Sequence, residues 1–379
     1  MAVRQGTVEN LVMFFGAYQG KTVWLSGHTG FKGAWLASWL LKLGARVHGF
    51  SLPAEDPSLF RQIGLEGGLE HEIGDVRDVN AVKQSIVATQ PDFVFHLAAQ
   101  PLVRLSYEKP LETYQTNFMG TAHVLEALRS LAKPCSTVLI TTDKCYENRE
   151  MDYAYSEEDP LGGHDPYSSS KAAAEIVISA YRRSFFGKSP VRIASARAGN
   201  VIGGGDWAPD RIVPDCIRHL KNHEVIPVRN PTATRPWQHV LEPLSGYLWL
   251  AVLQANPDAT DGIGARVDDA FNFGPGKESN RPVVDLVREL LRHWPGEYED
   301  KSNPDAPHEA RLLMLLTKKA ERLLKWKPIW NFESAVKHTA DWYRQVHEKT
   351  VTAESMTKSQ IENYEQTACN RVMWAKVKE

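Results

Sequence analysis

Gly27, Gly30 and Gly33 recur at three-residue spacing in Gly27-His28-Thr29-Gly30-Phe31-Lys32-Gly33, and their flanks leave few folds open. Before them, Thr22-Val23-Trp24-Leu25-Ser26 is β-branched and apolar and reads as a buried strand. After them, Trp35, Leu36, Trp39, Leu40 and Leu43 fall at helical spacing, and Gly44 closes the helix. A strand that turns through glycine straight into a helix opens a parallel βαβ unit. Glycine allows the tight turn, and the helix N-terminus offers free N–H groups and a positive dipole end. That combination suits a pyrophosphate, so a dinucleotide is expected at Gly27, Thr29, Gly30, Phe31, Lys32 and Gly33.

The alternation continues along the chain. Further strands are expected over Arg46–Phe50, Glu70–Ile73, Phe93–Leu97, Thr137–Thr141 and Val191–Ala196, with a long helix over Tyr167–Phe186. The fold class is therefore α/β, a doubly wound parallel sheet of the Rossmann kind. After about Asn200 the style changes: Gly203-Gly204-Gly205, Pro209, Pro214, Pro231, Pro236 and Pro243 punctuate the chain. The expected division is residues 1–198 as mainly the dinucleotide-binding domain and 199–379 as mainly a smaller substrate lobe, with an interleaved boundary. Leu11 to Phe15 reads as a docked N-terminal segment rather than a signal peptide. The polar stretch from about Thr350 looks helical around Lys358–Glu365.

Composition narrows the function. A net charge of −2 without a long basic run argues against non-specific nucleic-acid binding. The four cysteines are scattered, with no Cys-x-x-Cys pair, so free thiols are expected rather than a metal site or disulfide framework. No stretch approaches the roughly 20 apolar residues of a membrane span. A cytoplasmic protein without a metal is the expectation.

Chemistry enters with Tyr167 and Lys171, which share a helix face at i and i+4. An ammonium beside a phenol favours the phenolate, and a phenolate near a dinucleotide can take a proton from a sugar hydroxyl. Thr142 and Asp143 stand at a strand's C-terminal end, where open α/β sheets bind ligands. The second strand ends in Phe50-Ser51-Leu52-Pro53 with no acid for the adenosine ribose. No arginine for a 2′-phosphate appears there either, and NAD is favoured over NADP. Asp75, followed by Val76, is a candidate contact for the adenine amine.

Together with Leu97-Ala98-Ala99, these features resemble the extended short-chain dehydrogenase/reductases that act on nucleotide sugars. Five strings narrow the resemblance to the CDP-glucose 4,6-dehydratases, over about Gln19 to Tyr343. They are the Gly27–Gly33 turn, Ala99-Gln100-Pro101-Leu102-Val103-Arg104, Thr142-Asp143-Lys144-Cys145-Tyr146, the Gly199–Trp207 run, and Arg235-Pro236-Trp237-Gln238-His239-Val240. The resemblance implies that Leu97, Ala98, Ala99, Gln100 and Asn117 also face the cofactor. It implies C4 oxidation with Tyr167 as base, loss of water across C5–C6 with Asp143 as acid, and hydride return to C6. The dTDP and GDP types usually carry Glu after the Asp as C5 base; here Lys144 stands there, as either a neutral base or an enolate partner.

A CDP-sugar carries a diphosphate, so Arg211 and Arg235 are candidates to hold it, with Asn200, Arg104 and His308 as further contacts. The family also implies a homodimer packed through segments 103–129 and 167–186. A 4-epimerase of the same fold needs Tyr and Lys but no elimination pair. A dinucleotide-sensing protein needs neither.

Overall fold

The computed structural model describes residues 11–256, 267–302, 312–369 and 371–377. Seven strands form one sheet: β1 (Thr22–Ser26), β2 (Arg46–Ser51), β3 (Glu70–Ile73), β4 (Phe93–His96), β5 (Cys135–Ile140), β6 (Val191–Ala198) and β7 (Ala270–Phe273). Their spatial order is β3-β2-β1-β4-β5-β6-β7, and every pairing is parallel. The order reverses between β1 and β4, which opens a crevice at the carboxyl ends of those strands. Central strands are buried on both faces, which explains their continuous apolar runs.

Helices cover both faces. On one side α2 (Val79–Thr89), α3 (Gly120–Leu128) and α4 (Pro166–Ser184) bury Val82, Ile86, Val124, Leu125 and Ile178 against Trp24, Val94 and Leu139. On the other, α1 (Phe31–Lys42) and α5 (Leu241–Ala255) pack with α6 (Phe332–His347) and α7 (Ala353–Ala368) into the larger core. Burying each large apolar side chain in these layers contributes about 1.5–3 kcal/mol before entropy is set against it.

The expected strands and the helix after the glycine turn are present, with ends shifted by a residue or two at most. Among the elements the sequence reading did not name are β7 and α5. β7 has Asn272 in its middle, which breaks the apolar run. Its amide is fully satisfied inside, with Nδ2 donating to the Tyr155 carbonyl at 2.9 Å and Oδ1 accepting from Tyr146 Oη at 2.7 Å. In α5, Pro243 falls within the first turn, where its missing N–H costs nothing, and the helix is buried on all sides.

The division at 198/199 is not a clean cut in space, since β7 returns to lie beside β6. Leu11–Met13 pairs antiparallel with Ala375–Val377, and Phe14 stacks on Trp374 at 5.0 Å between ring centroids. The late helix α7 docks on α1: Glu365 accepts from Trp39 Nε1 at 2.8 Å and Lys42 Nζ at 2.6 Å. No helix among the described residues is long and apolar enough to cross a membrane.

Candidate active site

The three glycines of the turn do different work. Gly27 has φ +76°, and a Cβ there would stand 2.7 Å from the Ala98 nitrogen. A Cβ on Gly33 would stand 2.0 Å from the Gly27 carbonyl oxygen, so α1 can approach β1 only with glycine at that position. At Gly30 the nearest atom to a Cβ would be 3.4 Å away, which leaves the backbone bare toward the crevice. Two glycines build the turn and one exposes it, as a pyrophosphate needs. A dinucleotide therefore fits.

The crevice walls are tied together by buried polar groups. Ser26 Oγ accepts from the Leu97 and Ala98 nitrogens, each at 3.2 Å. Asn117 is fully buried: Oδ1 accepts from the Gln100 nitrogen at 2.9 Å, and Nδ2 donates to the Gln100 carbonyl and Ser170 Oγ at 3.1 and 2.9 Å. It links the Ala98–Gln100 loop to the start of α4. At the end of β2, the Thr29 and Ser51 hydroxyls lie 2.7 Å apart, where a ribose-binding acid stands in many such folds. Asp75 accepts from Arg77 Nε at 2.8 Å, and the Val76 carbonyl lies 2.9 Å from His123 Nδ1. Asp75, Arg77, Gln115, Met119 and His123 line a surface cleft of about 660 Å3.

The catalytic candidates converge just beyond β5 and at the start of α4. Thr142 Oγ1 accepts from the Lys144 nitrogen at 3.4 Å and donates to Asp143 Oδ1 at 3.0 Å. Asp143 is buried, and its Oδ2 has no hydrogen-bond partner among the described residues. A Cβ on Gly199 would lie 2.6 Å from that oxygen, so the glycine after β6 makes room for the carboxyl. Burial pushes the Asp143 carboxyl above the usual carboxylate range, while Lys144, Thr142 and Arg235 pull it back. A carboxyl held this way binds a proton more tightly than an exposed aspartate does.

Asp165 caps α4 by accepting from the Ser168 nitrogen at 2.9 Å, and Pro166 starts the helix; together they fix Tyr167 in its first turn. Burial pushes the Tyr167 phenol up to about 12, opposed first by its hydrogen bond to Thr142 and then by Arg211. Sequence reasoning gave that lowering role to Lys171. The structure differs, because Lys171 Nζ turns to the Ile140 carbonyl at 3.3 Å. Burial lowers Lys171 to about 8, with Glu175 the strongest opposing charge. Lys32 is lowered to about 8 by burial, Arg211 and Lys171, opposed by Asp143, so its side chain belongs to this cluster as much as to the glycine turn.

Of the arginines, Arg211 pairs with Asp206 at 2.8 Å and acts on Tyr167. Arg235 is buried, donates to the Thr234 carbonyl at 2.8 Å, and acts on Asp143. Arg104 meets Asp210 at 3.3 Å in a more exposed position. Asn200, two residues past the end of β6, is partly buried. His308 lies outside the described residues. Three residues of this region were not foreseen. Tyr247, on α5, keeps a buried hydroxyl with no hydrogen-bond partner among the described residues; Asp143 and Tyr167 act on it, and Lys32 Nζ lies 5.8 Å from its ring centroid. Glu175 and Arg197 form a buried ion pair at 2.8 Å behind Lys171. Only Glu175 left a signal: it continues the Tyr167–Lys171 spacing by another four residues.

A glycine turn over the sheet's switch point, with Tyr167 and Thr142 together at the mouth, is the arrangement expected of a short-chain dehydrogenase/reductase. The chain belongs to the GDP-mannose 4,6 dehydratase family, whose profile matches residues 25–339. It is 46% identical over 336 residues to the CDP-glucose 4,6-dehydratase of Salmonella typhimurium, covering 86% of this chain and 91% of that protein. It is 27% identical to the human dTDP-D-glucose 4,6-dehydratase, over 72% of this chain and 74% of that one. Among solved structures, a Streptomyces venezuelae dTDP-glucose 4,6-dehydratase with NAD bound superposes with a TM-score of 0.72 at 21% identity, covering 86% of this chain and 98% of that one. A Thermotoga maritima UDP-glucose 4-epimerase gives 0.71 at 18%, over 86% and 99%. The last two share the fold; the first relative shares far more.

Proposed function

We propose that this protein converts CDP-glucose to CDP-4-keto-6-deoxyglucose with NAD. The observation that carries the reading is the buried Asp143 carboxyl, held up in its titration beside Thr142 and Lys144 within the Tyr167 site. An epimerase has no use for a buried acid there. The relative at 46% identity, a CDP-glucose 4,6-dehydratase, supports the choice of nucleotide.

NAD would lie on the Gly27–Gly33 turn, with its adenine toward Asp75 and Val76 and its nicotinamide end toward Ala98, Ala99, Tyr167 and Lys171. When bound, it supplies the acceptor for the C4 hydride and later the donor to C6. The chain's own groups handle the protons. Tyr167 Oη takes the C4 hydroxyl proton, with Thr142 orienting that hydroxyl. The resulting ketone acidifies C5–H. The C5–H electrons become the C5=C6 bond as the C6–O bond breaks, and Asp143 gives its proton to the departing oxygen to form water. The C5 proton goes to Lys144 when that amine is neutral; when Lys144 is charged it pairs with the enolate oxygen and water takes the proton. The same base returns a proton to C5 as C6 is reduced. Arg211 and Arg235 meet the diphosphate.

Purified protein incubated with NAD and CDP-glucose, UDP-glucose or dTDP-glucose tests this by mass spectrometry. Loss of one water from CDP-glucose alone is the expected result. Unchanged mass in every tube would sink the dehydratase reading and favour epimerisation.

A homodimer is proposed as well. Leu111 is 76% exposed, Ile176 59% and Tyr107 44%, an apolar set on the helices expected to meet. Leu111→Asp should convert a sedimenting dimer to monomer; an unchanged sedimentation coefficient would place the contact elsewhere. A cytoplasmic location suits the free cysteines, Cys135, Cys145, Cys216 and Cys369, and cell fractionation checks it.

A further inference from the structure

Lys171 is a buried ammonium, 5% exposed, with the Ile140 carbonyl as its hydrogen-bond acceptor at 3.3 Å. A carbonyl dipole alone is a weak counterpart for a buried charge. One helical turn on, Glu175 is 2% exposed and heavily bonded. Its Oε1 accepts from the Thr141 hydroxyl, on the residue after Ile140. Its Oε2 accepts from Ser195 Oγ and Arg197 Nη2, both at 2.8 Å. Arg197 is held in turn by Tyr146 Oη at 2.7 Å, and its guanidinium carbon lies 5.0 Å from the Tyr146 ring centroid.

This network spans α4, the end of β5 and β6, and it fixes one carboxylate behind one ammonium. We propose that Glu175, anchored by Arg197, one helical turn from Lys171 and bonded to the residue that follows Ile140, is a positioning residue that holds Lys171 at the Ile140 carbonyl. The inference rests on the dehydratase reading only in giving Lys171 a role in turnover. Other elements press on the same ammonium: Cys145 in the turn after Thr142, His96 on β4 and Lys32 on α1. Among the described residues Glu175 and Cys145 favour its charge, and the Cys145 thiol is itself pushed up by burial and stays neutral. Burial works against the charge, and Glu175 is the strongest influence in its favour.

The sign follows. Activity needs charged Lys171, so it is lost as pH rises through about 8. Removing the Glu175 charge lowers Lys171 further and moves that alkaline limb to lower pH. Lys32 titrates in the same range, yet Glu175 is not among the charges acting on it, so a limb that responds to Glu175 belongs to Lys171.

Glu175→Gln alone strands a buried Arg197, so the decisive variant is Glu175→Gln with Arg197→Gln. Its pH–rate profile for CDP-glucose should shift its alkaline limb down by about one unit. Activity near pH 8.5 then falls roughly tenfold while that near pH 6.5 stays within about threefold of wild type. Glu175→Asp, which keeps the charge, should place the limb between the two. Equal loss at every pH, with the limb unmoved in both variants, would make the pair a structural brace and overturn the proposal. If wild type itself shows no turnover of CDP-glucose, the dehydratase reading is what has failed.

Discussion

Tyr167→Phe should reduce turnover of CDP-glucose by about 10³-fold while leaving NAD content unchanged. The ring stays, so the packing of the first turn of α4 stays; only the oxygen that accepts the C4 proton is removed. Within the chain the phenol is pushed up to about 12, so at neutral pH it is almost wholly protonated. The rate should therefore rise with pH on the acid side, as the phenolate fraction grows, before Lys171 begins to lose its charge near 8. Initial rates across pH, with the cofactor content of the purified variant, test both statements. A variant within tenfold of wild type would remove Tyr167 from the role of base.

Asp143→Asn should divide the reaction in two. The amide matches the carboxyl in size, so the space left by Gly199 is still filled. It cannot give up a proton to the C6 oxygen, and elimination should slow by about 10²–10³-fold. Oxidation at C4 does not use that proton. Quenched samples examined by mass spectrometry should therefore accumulate a sugar two hydrogens lighter than CDP-glucose, in place of one lacking a water. If the dehydrated product still forms at the wild-type rate, the acid is another group. Because burial holds the Asp143 carboxyl up, the proton it donates persists to higher pH than an exposed aspartate would allow.

Much of this site could be read from the sequence because it sits in contiguous strings. The Gly27–Gly33 turn, Thr142-Asp143-Lys144 and Tyr167–Lys171 each carry their own local geometry, a strand end or the first turn of a helix. What the strings do not encode is the direction of long side chains. Lys171 was expected to serve the phenol, and its four-carbon stem instead reaches the Ile140 carbonyl. Lys32 was expected at the pyrophosphate and also feels Asp143 and Lys171. Arg197 and Tyr247 arrive from β6 and α5, far along the chain, with no periodic or spacing signal to mark them. β7 was hidden by Asn272, a polar residue whose hydrogen bonds only the folded chain supplies.

The pairing of Leu11–Met13 with Ala375–Val377 also shapes how the polypeptide is made. During synthesis the early segment leaves the ribosome long before its partner exists. Phe14 must wait for Trp374, and the α1 indole Trp39 must wait for α7, so apolar surface stays uncovered while the sheet assembles. A nascent chain in that condition is prone to association and to chaperone capture. Contacts closed over so long a span of sequence also form late and slowly. Yield in a heterologous host should thus depend on how well that waiting surface is shielded, more than on the stability of the finished fold.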